Sequence, residues 1–151
     1  MDFNTYLRLN CRLSLLLVKI DLYFDLHLIL IKKYFNFGVK ITFANKSLEK
    51  LANDDRQMLN ALGKNRATLF RRRLAQLADA SSLEDLRYIA GNFHELKNDR
   101  KGQWSCNLDQ PYRLIFTPHE NPIPMNKDGQ YIWLEIFGID ILEIVNYHKE
   151  K

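Results

Sequence analysis

Cysteine is scarce in this chain of 151 residues. Cys11 and Cys106 are the only two, far apart and in no C-x-x-C pair. A disulfide-stapled scaffold is therefore excluded, and a reducing, cytoplasmic setting is expected. The four histidines (His27, His94, His119, His148) are scattered, with neither H-E-x-x-H nor paired-Cys spacing, so no metal and no cofactor are expected. Glycine (6) and proline (4) are too few for a collagen-like or low-complexity chain. A large charge excess is also missing. Lys and Arg total 22 against 18 for Asp and Glu, and the resulting +4 permits an acidic partner such as RNA without demanding one. Long apolar runs are absent too: Lys19, Asp21, Asp25 and His27 interrupt the stretch Leu13–Phe37, short of the roughly 18 residues a membrane span needs. That stretch ends in Lys32-Lys33-Tyr34-Phe35-Asn36-Phe37 with no small-residue cleavage site, so no secretory signal is read either.

What remains is an ordinary globular composition, with 46% hydrophobic, 26% charged and 12% aromatic residues, and a length that suits one compact domain. The apolar extension 1–38 is unlike the rest. Three readings of it stay open: a helix docked on the domain, an interfacial helix with Lys32 and Lys33 near lipid head groups, or a segment upstream of the true translation start. Residues 39–151 read as a complete domain opening on the strand-like Val39-Lys-Ile-Thr-Phe-Ala44.

Within that domain, Ile41 and Phe43 alternate with Lys40 and Thr42, a short strand. Asn45 stands as the N-cap of a helix carrying Leu48, Leu51 and Ala52, and Gly63 ends it. A second helix starts at Lys64, with Ala67, Phe70, Leu74, Leu77 and Ala78 as its apolar stripe and Arg66, Arg71, Arg72 and Arg73 projecting mostly elsewhere. Ser81–Asp85 is a capped turn. After Gly91 the period switches to 2. Strands are expected over Phe93–Lys97, Gln103–Leu108, Tyr112–Thr117, Tyr131–Phe137 and Ile141–Tyr147, with a loop over Pro118–Gln130 and a turn at Gly138-Ile139-Asp140. The pattern gives an α+β domain with helices on one face of a twisted, mostly antiparallel sheet.

Residues suited to chemistry cluster at strand ends and turns of the second half. His94 and Lys97 bracket one strand, Arg100 and Lys101 follow it, Arg113 lies near the start of another, and Tyr147 and His148 close the last. Such a set fits RNA cleavage, in which a ribose 2′-hydroxyl attacks the adjacent phosphorus and the 5′-oxygen leaves. That reaction needs a base, an acid and cations to stabilise the phosphate oxygens. Histidine can act as base or acid near neutral pH, and arginine matches phosphate with a planar fork. Plainer readings stand beside this one. His94 can be a strand histidine satisfied by a backbone partner, Arg113 can pair with Glu135 or Glu143, and Arg71-Arg72-Arg73 can be a solvated helix face. Cys106, Trp104 and Trp133 read as core.

The segment His94-Glu-Leu-Lys97-Asn-Asp-Arg100-Lys-Gly-Gln-Trp104-Ser105 resembles the one that marks the HigB branch of the RelE-like bacterial toxins, the plasmid-maintenance killer proteins. Pro111-Tyr-Arg113-Leu-Ile-Phe116 and Leu142-Glu-Ile-Val-Asn-Tyr147-His148 add to the likeness, which runs from Val39 to the C-terminus. The resemblance implies a RelE-like fold and a metal-independent, ribosome-dependent endoribonuclease that cuts messenger RNA. It also implies a HigA-type helix-turn-helix antitoxin, with operator DNA bound only through that partner, and a cytoplasmic protein with no membrane association. By this likeness His94, Lys97, Arg113, Tyr147 and His148 are the catalytic candidates. Arg100 and Lys101 are expected to grip the RNA backbone, and Arg71 and Arg72 are further RNA-binding candidates. One departure stands out: some members carry a carboxylate before the Tyr-His pair, whereas Asn146 occupies that place here. The alternatives are a nucleic-acid-binding module without catalysis and a membrane-associated protein held by residues 1–38.

Overall fold

The alternation of Ile41 and Phe43 with Lys40 and Thr42 does form a strand, β1 (Lys40–Phe43). The computed structural model describes residues 38–147, and the readings made of residues 1–37 and of His148 lie outside these described residues. Asn45 caps helix α1 (Lys46–Asn53), its side chain accepting from the Leu48 N–H at 2.9 Å. Asp54 caps helix α2 (Asp55–Asp79) in the same way, accepting from the Gln57 N–H at 3.0 Å. The helix break at Asp54 precedes the expected one at Gly63. Gly63 is still non-helical (φ 73°, ψ 165°), a conformation nearly reserved for glycine, and it kinks α2 instead of ending it. Ala67, Phe70 and Leu77 of the expected stripe are buried, Leu74 packs at the margin, and Ala78 is exposed.

Four more strands complete a five-stranded sheet: β2 (His94–Glu95), β3 (Trp104–Asn107), β4 (Tyr112–Pro118) and β5 (Gly138–Asn146). Their order is β1-β5-β4-β3-β2, with β1 parallel to β5 and the other pairs antiparallel. This is the expected α+β, RelE-like architecture of two helices on a mostly antiparallel sheet.

Some boundaries differ from the reading of the sequence. The strand expected over Tyr131–Phe137 is a 3₁₀ turn at Trp133–Glu135, with Tyr131 making only an isolated bridge to Met125. Aromatic packing decides this. Trp133 stands edge-on to Trp104 at 5.2 Å, and Ile136 is fully buried beside it. Gly138-Ile139-Asp140, expected as a turn, instead opens β5 and pairs with Lys40, Ile41 and Thr42. β2 shrinks to two residues because the chain turns into a 3₁₀ segment at Asn98–Arg100, where Asn98 takes φ 57°.

The main core lies between the helices and the sheet. Phe70, Leu77 and Met58 meet Trp104, Cys106, Leu114, Phe116, Ile139 and Ile141 there. Cys106, Trp104 and Trp133 are core, as their positions in the pattern suggested. Arg73 departs from its expected outward direction. It is buried and donates to the carbonyls of Asn107 (2.8 Å) and Ala90 (2.9 Å) and to Gln76 Oε1 (2.8 Å). A smaller apolar cluster of Leu96, Ile115 and Val145, with Leu142 against it, occupies the opposite face of the sheet. Among the described residues, no helix is long and apolar enough to cross a membrane.

Candidate functional site

The helices cover one face of the sheet, and strand register determines what the other face carries. His94 pairs with Ser105, Ser105 with Ile115, and Ile115 with Glu143, so these four form one row across β2, β3, β4 and β5. The next row holds Asn107, Arg113 and Val145. Directly paired residues share a face, so His94, Arg113 and Glu143 lie together on the helix-free side.

Both ring nitrogens of His94 are engaged. Nδ1 lies 2.7 Å from the Asn92 carbonyl, which can only accept, so Nδ1 carries a proton. In the neutral ring Nε2 is then the acceptor, facing the Ser105 hydroxyl at 3.3 Å, a long contact beside the first. Asn92 aims its carbonyl from a left-handed conformation, φ 53°. The backbone partner foreseen for His94 is therefore present, and Nε2 is the nitrogen that faces a hydroxyl and not a backbone carbonyl. Ser105 is fully buried, which suits a residue that orients the ring and not a nucleophile. His94, Leu96, Lys97 and Lys101 line a groove of about 480 Å³ with Arg87 and Glu95.

Arg113 makes neither of the ion pairs considered for it. Its guanidinium lies 3.9 Å from the centre of the Tyr147 ring, a cation–π stack that holds the arginine over the sheet. Glu143 pairs with Arg100 instead, Oε1 to Nη1 at 2.7 Å. Arg100 thus reaches from the 3₁₀ segment after β2 onto the face shared by Arg113. Lys101 lies 5.5 Å from the Tyr131 ring centre. Lys97 is exposed at the groove rim.

Not every candidate joins this group. Arg71 and Arg72 are exposed on α2, in the layer on the far side of the sheet, and Arg71 is ion-paired with Asp55. His148 lies outside the described residues. Asn146 pairs with Tyr112, whose neighbours on that face are core residues, so its register assigns it to the helix side. Among the described residues, no group of three or more His, Cys, Asp or Glu side chains could hold a metal ion.

Two features escaped the reading of the sequence. Glu143 is one. A period-2 count back from Tyr147 would have placed it on Tyr147's face, although the same count forward from Ile139 places it in the core. The other is a hydrogen-bonded chain near the β1 edge. Thr42 Oγ1 donates to Asp140 Oδ1 at 2.8 Å and lies 2.7 Å from His119 Nε2, beside a cavity of about 520 Å³. His119 follows β4 by one residue, and no spacing in the sequence tied it to Thr42.

Residues 41–127 match the family model described as the RelE-like toxin of the type II toxin-antitoxin system HigB. No curated protein and no solved structure matches the chain. The matched segment carries His94, Lys97, Arg100, Lys101 and Arg113, while Glu143 of β5 and Tyr147, one residue beyond that strand, follow it.

Proposed function

The chain belongs to the HigB-like family of RelE-like type II toxins, and from that premise we propose that it is an endoribonuclease that cuts messenger RNA on the ribosome. A type II toxin has an antitoxin partner, and here we take that partner to be a HigA-type helix-turn-helix protein that also carries the pair to operator DNA. The single observation that carries the catalytic reading is the helix-free face. Arg113 is stacked on Tyr147 there, Arg100 is tied to Glu143, and a histidine on the same face has one nitrogen poised to exchange a proton.

The reaction follows from these groups. The 2′-hydroxyl of one ribose loses its proton to a base, its oxygen bonds to the adjacent phosphorus, and the bond to the 5′-oxygen breaks. A cyclic phosphate remains on one fragment, and an acid delivers a proton to the departing 5′-oxygen. Arg113 and Lys97 stabilise the charge that grows on the phosphate oxygens. His94 Nε2 and His148 share the proton transfers, and Tyr147 orients the substrate while holding the Arg113 guanidinium. Arg100 and Lys101 contact the backbone.

Inducible expression of the full chain in a bacterial host, with messenger RNA 5′ ends mapped, tests this. Growth arrest with new cleavage ends, both lost in Arg113→Ala and in His148→Ala, is the expected result. Arrest without new ends would refute the nuclease. It would favour a binding module that acts with its antitoxin, a reading that the double engagement of the His94 ring also fits.

A further inference from the structure

We propose that Glu143 is a positioning residue that holds Arg100 beside Arg113, so that two arginines form a clamp for one phosphate of the RNA. The inference rests on the cleavage reading above and adds to it a residue that neither sequence pattern nor family likeness assigns.

A β-bulge is the first observation. Ile141 pairs with Phe116 and Glu143 with Ile115, so β5 holds one extra residue, Leu142, across from that step. Ile139 and Ile141 face the core, and an unbroken alternation would send Glu143 there as well. The extra residue turns Glu143 onto the helix-free face and carries Val145 and Tyr147 with it. Bulges are known to re-aim side chains in this way.

Proximity is the second. Arg113 is two residues from Ile115 on β4, which makes it the diagonal neighbour of Glu143, at about 7–8 Å between Cα atoms for that relation. Arg100 arrives from a different element, 43 residues earlier in the chain. Two guanidiniums that share one face repel each other, and the carboxylate bound to Arg100 offsets part of that repulsion while its 2.7 Å bond fixes where Arg100 points. Arg113 is fixed independently by the Tyr147 ring. Each arginine thus has its own anchor, and paired guanidinium forks match the oxygens of a phosphate.

The opposite reading, that Glu143 masks Arg100 from RNA, predicts effects of the opposite sign. The test compares the full-length wild type with Arg100→Ala, Glu143→Ala, Glu143→Gln and the Arg100→Ala/Glu143→Ala pair. Single-turnover cleavage of messenger RNA presented on ribosomes is measured, with kcat and KM separated. Glu143 is half exposed, so the variants should fold, and circular dichroism checks this. Arg100→Ala should lose about 10²-fold in kcat, the lower end of the range for removing a transition-state donor. Glu143→Ala should lose about tenfold, also mainly in kcat, below the roughly 10²-fold that a misplacement of about 1 Å can cost. The pair should be no worse than Arg100→Ala alone, and Glu143→Gln should recover part of the loss, because its amide oxygen still accepts from the guanidinium.

Wild-type or faster cleavage by Glu143→Ala, or losses that multiply in the pair, would overturn the proposal. A wild type that does not cleave would refute the nuclease instead, and affinity for a 2′-O-methyl RNA would then decide about Glu143. Weaker binding by Glu143→Ala, matched by the pair, supports positioning; tighter binding overturns it.

Discussion

Three consecutive arginines on α2 should respond very differently to substitution, with Arg73→Met the damaging one. Arg73 is 8% exposed, and its Nε donates to the Asn107 carbonyl while Nη1 donates to the Ala90 carbonyl and to Gln76 Oε1. Methionine keeps the stem and removes every donor. Gln76 Nε2 also reaches the Ala90 carbonyl at 2.9 Å, so that acceptor stays satisfied. The Asn107 side-chain oxygen is already buried without a partner, which leaves the region little room to compensate. Of the three hydrogen bonds lost, the one that orphans the Asn107 carbonyl dominates, and its loss costs about 2–4 kcal/mol. That is a large share of a typical stability of about 5–15 kcal/mol. With a urea dependence of about 1–3 kcal/mol per molar for a domain of this size, the unfolding midpoint should fall by roughly 1–2 M. Arg72→Met and Arg71→Met should stay within about half a kcal/mol, since the Arg71–Asp55 pair is solvent-exposed. Urea unfolding followed by tryptophan fluorescence measures all three. A shift for Arg73→Met no larger than for Arg72→Met would refute the burial argument.

In the site, Arg113→Ala should reduce cleavage at least tenfold and Tyr147→Phe much less, because phenylalanine preserves the ring under the guanidinium; equal losses in single-turnover assays would argue against the stack. Burial pushes the Cys106 thiol from 9.0 up to about 12, with Arg73 pulling weakly the other way. The folded protein therefore keeps that proton between pH 9 and 12 while the unfolded chain loses it, so stability should drop as pH rises through this window. Cys106→Ala should flatten that part of the profile, and the Cys106 peptide should resist alkylation at pH 8 until urea is added. A Cβ at position 138 would clash with His119 Nδ1, so Gly138→Ala should drive His119 off Thr42; unchanged His119 ring resonances in the NMR spectrum would contradict this.

Much of the molecule follows from local rules. Asn45 and Asp54 cap helices because a short side-chain oxygen can satisfy an orphan N–H, and Gly63 bends the chain because it alone tolerates that backbone. The alternation in β1, β3 and β4 survives because neighbouring side chains of a strand point to opposite faces, even where Ser105 and Ile115 are buried on the second face. That His94 and Arg113 share the helix-free face could be anticipated in part, since both lie at strand ends of one sheet. Other features depend on contacts between segments far apart in the chain. Whether an arginine of the 71–73 run faces water or a carbonyl is settled by the Asn107 strand lying beneath it. The segment after the proline loop gives up its ladder because Trp133 finds Trp104. Glu143 reaches the site through a bulge that no alternation in β5 announces, since register exists only once β4 is paired with it. Side-chain periodicity is a property of the chain, but which face meets which partner is a property of the assembled sheet.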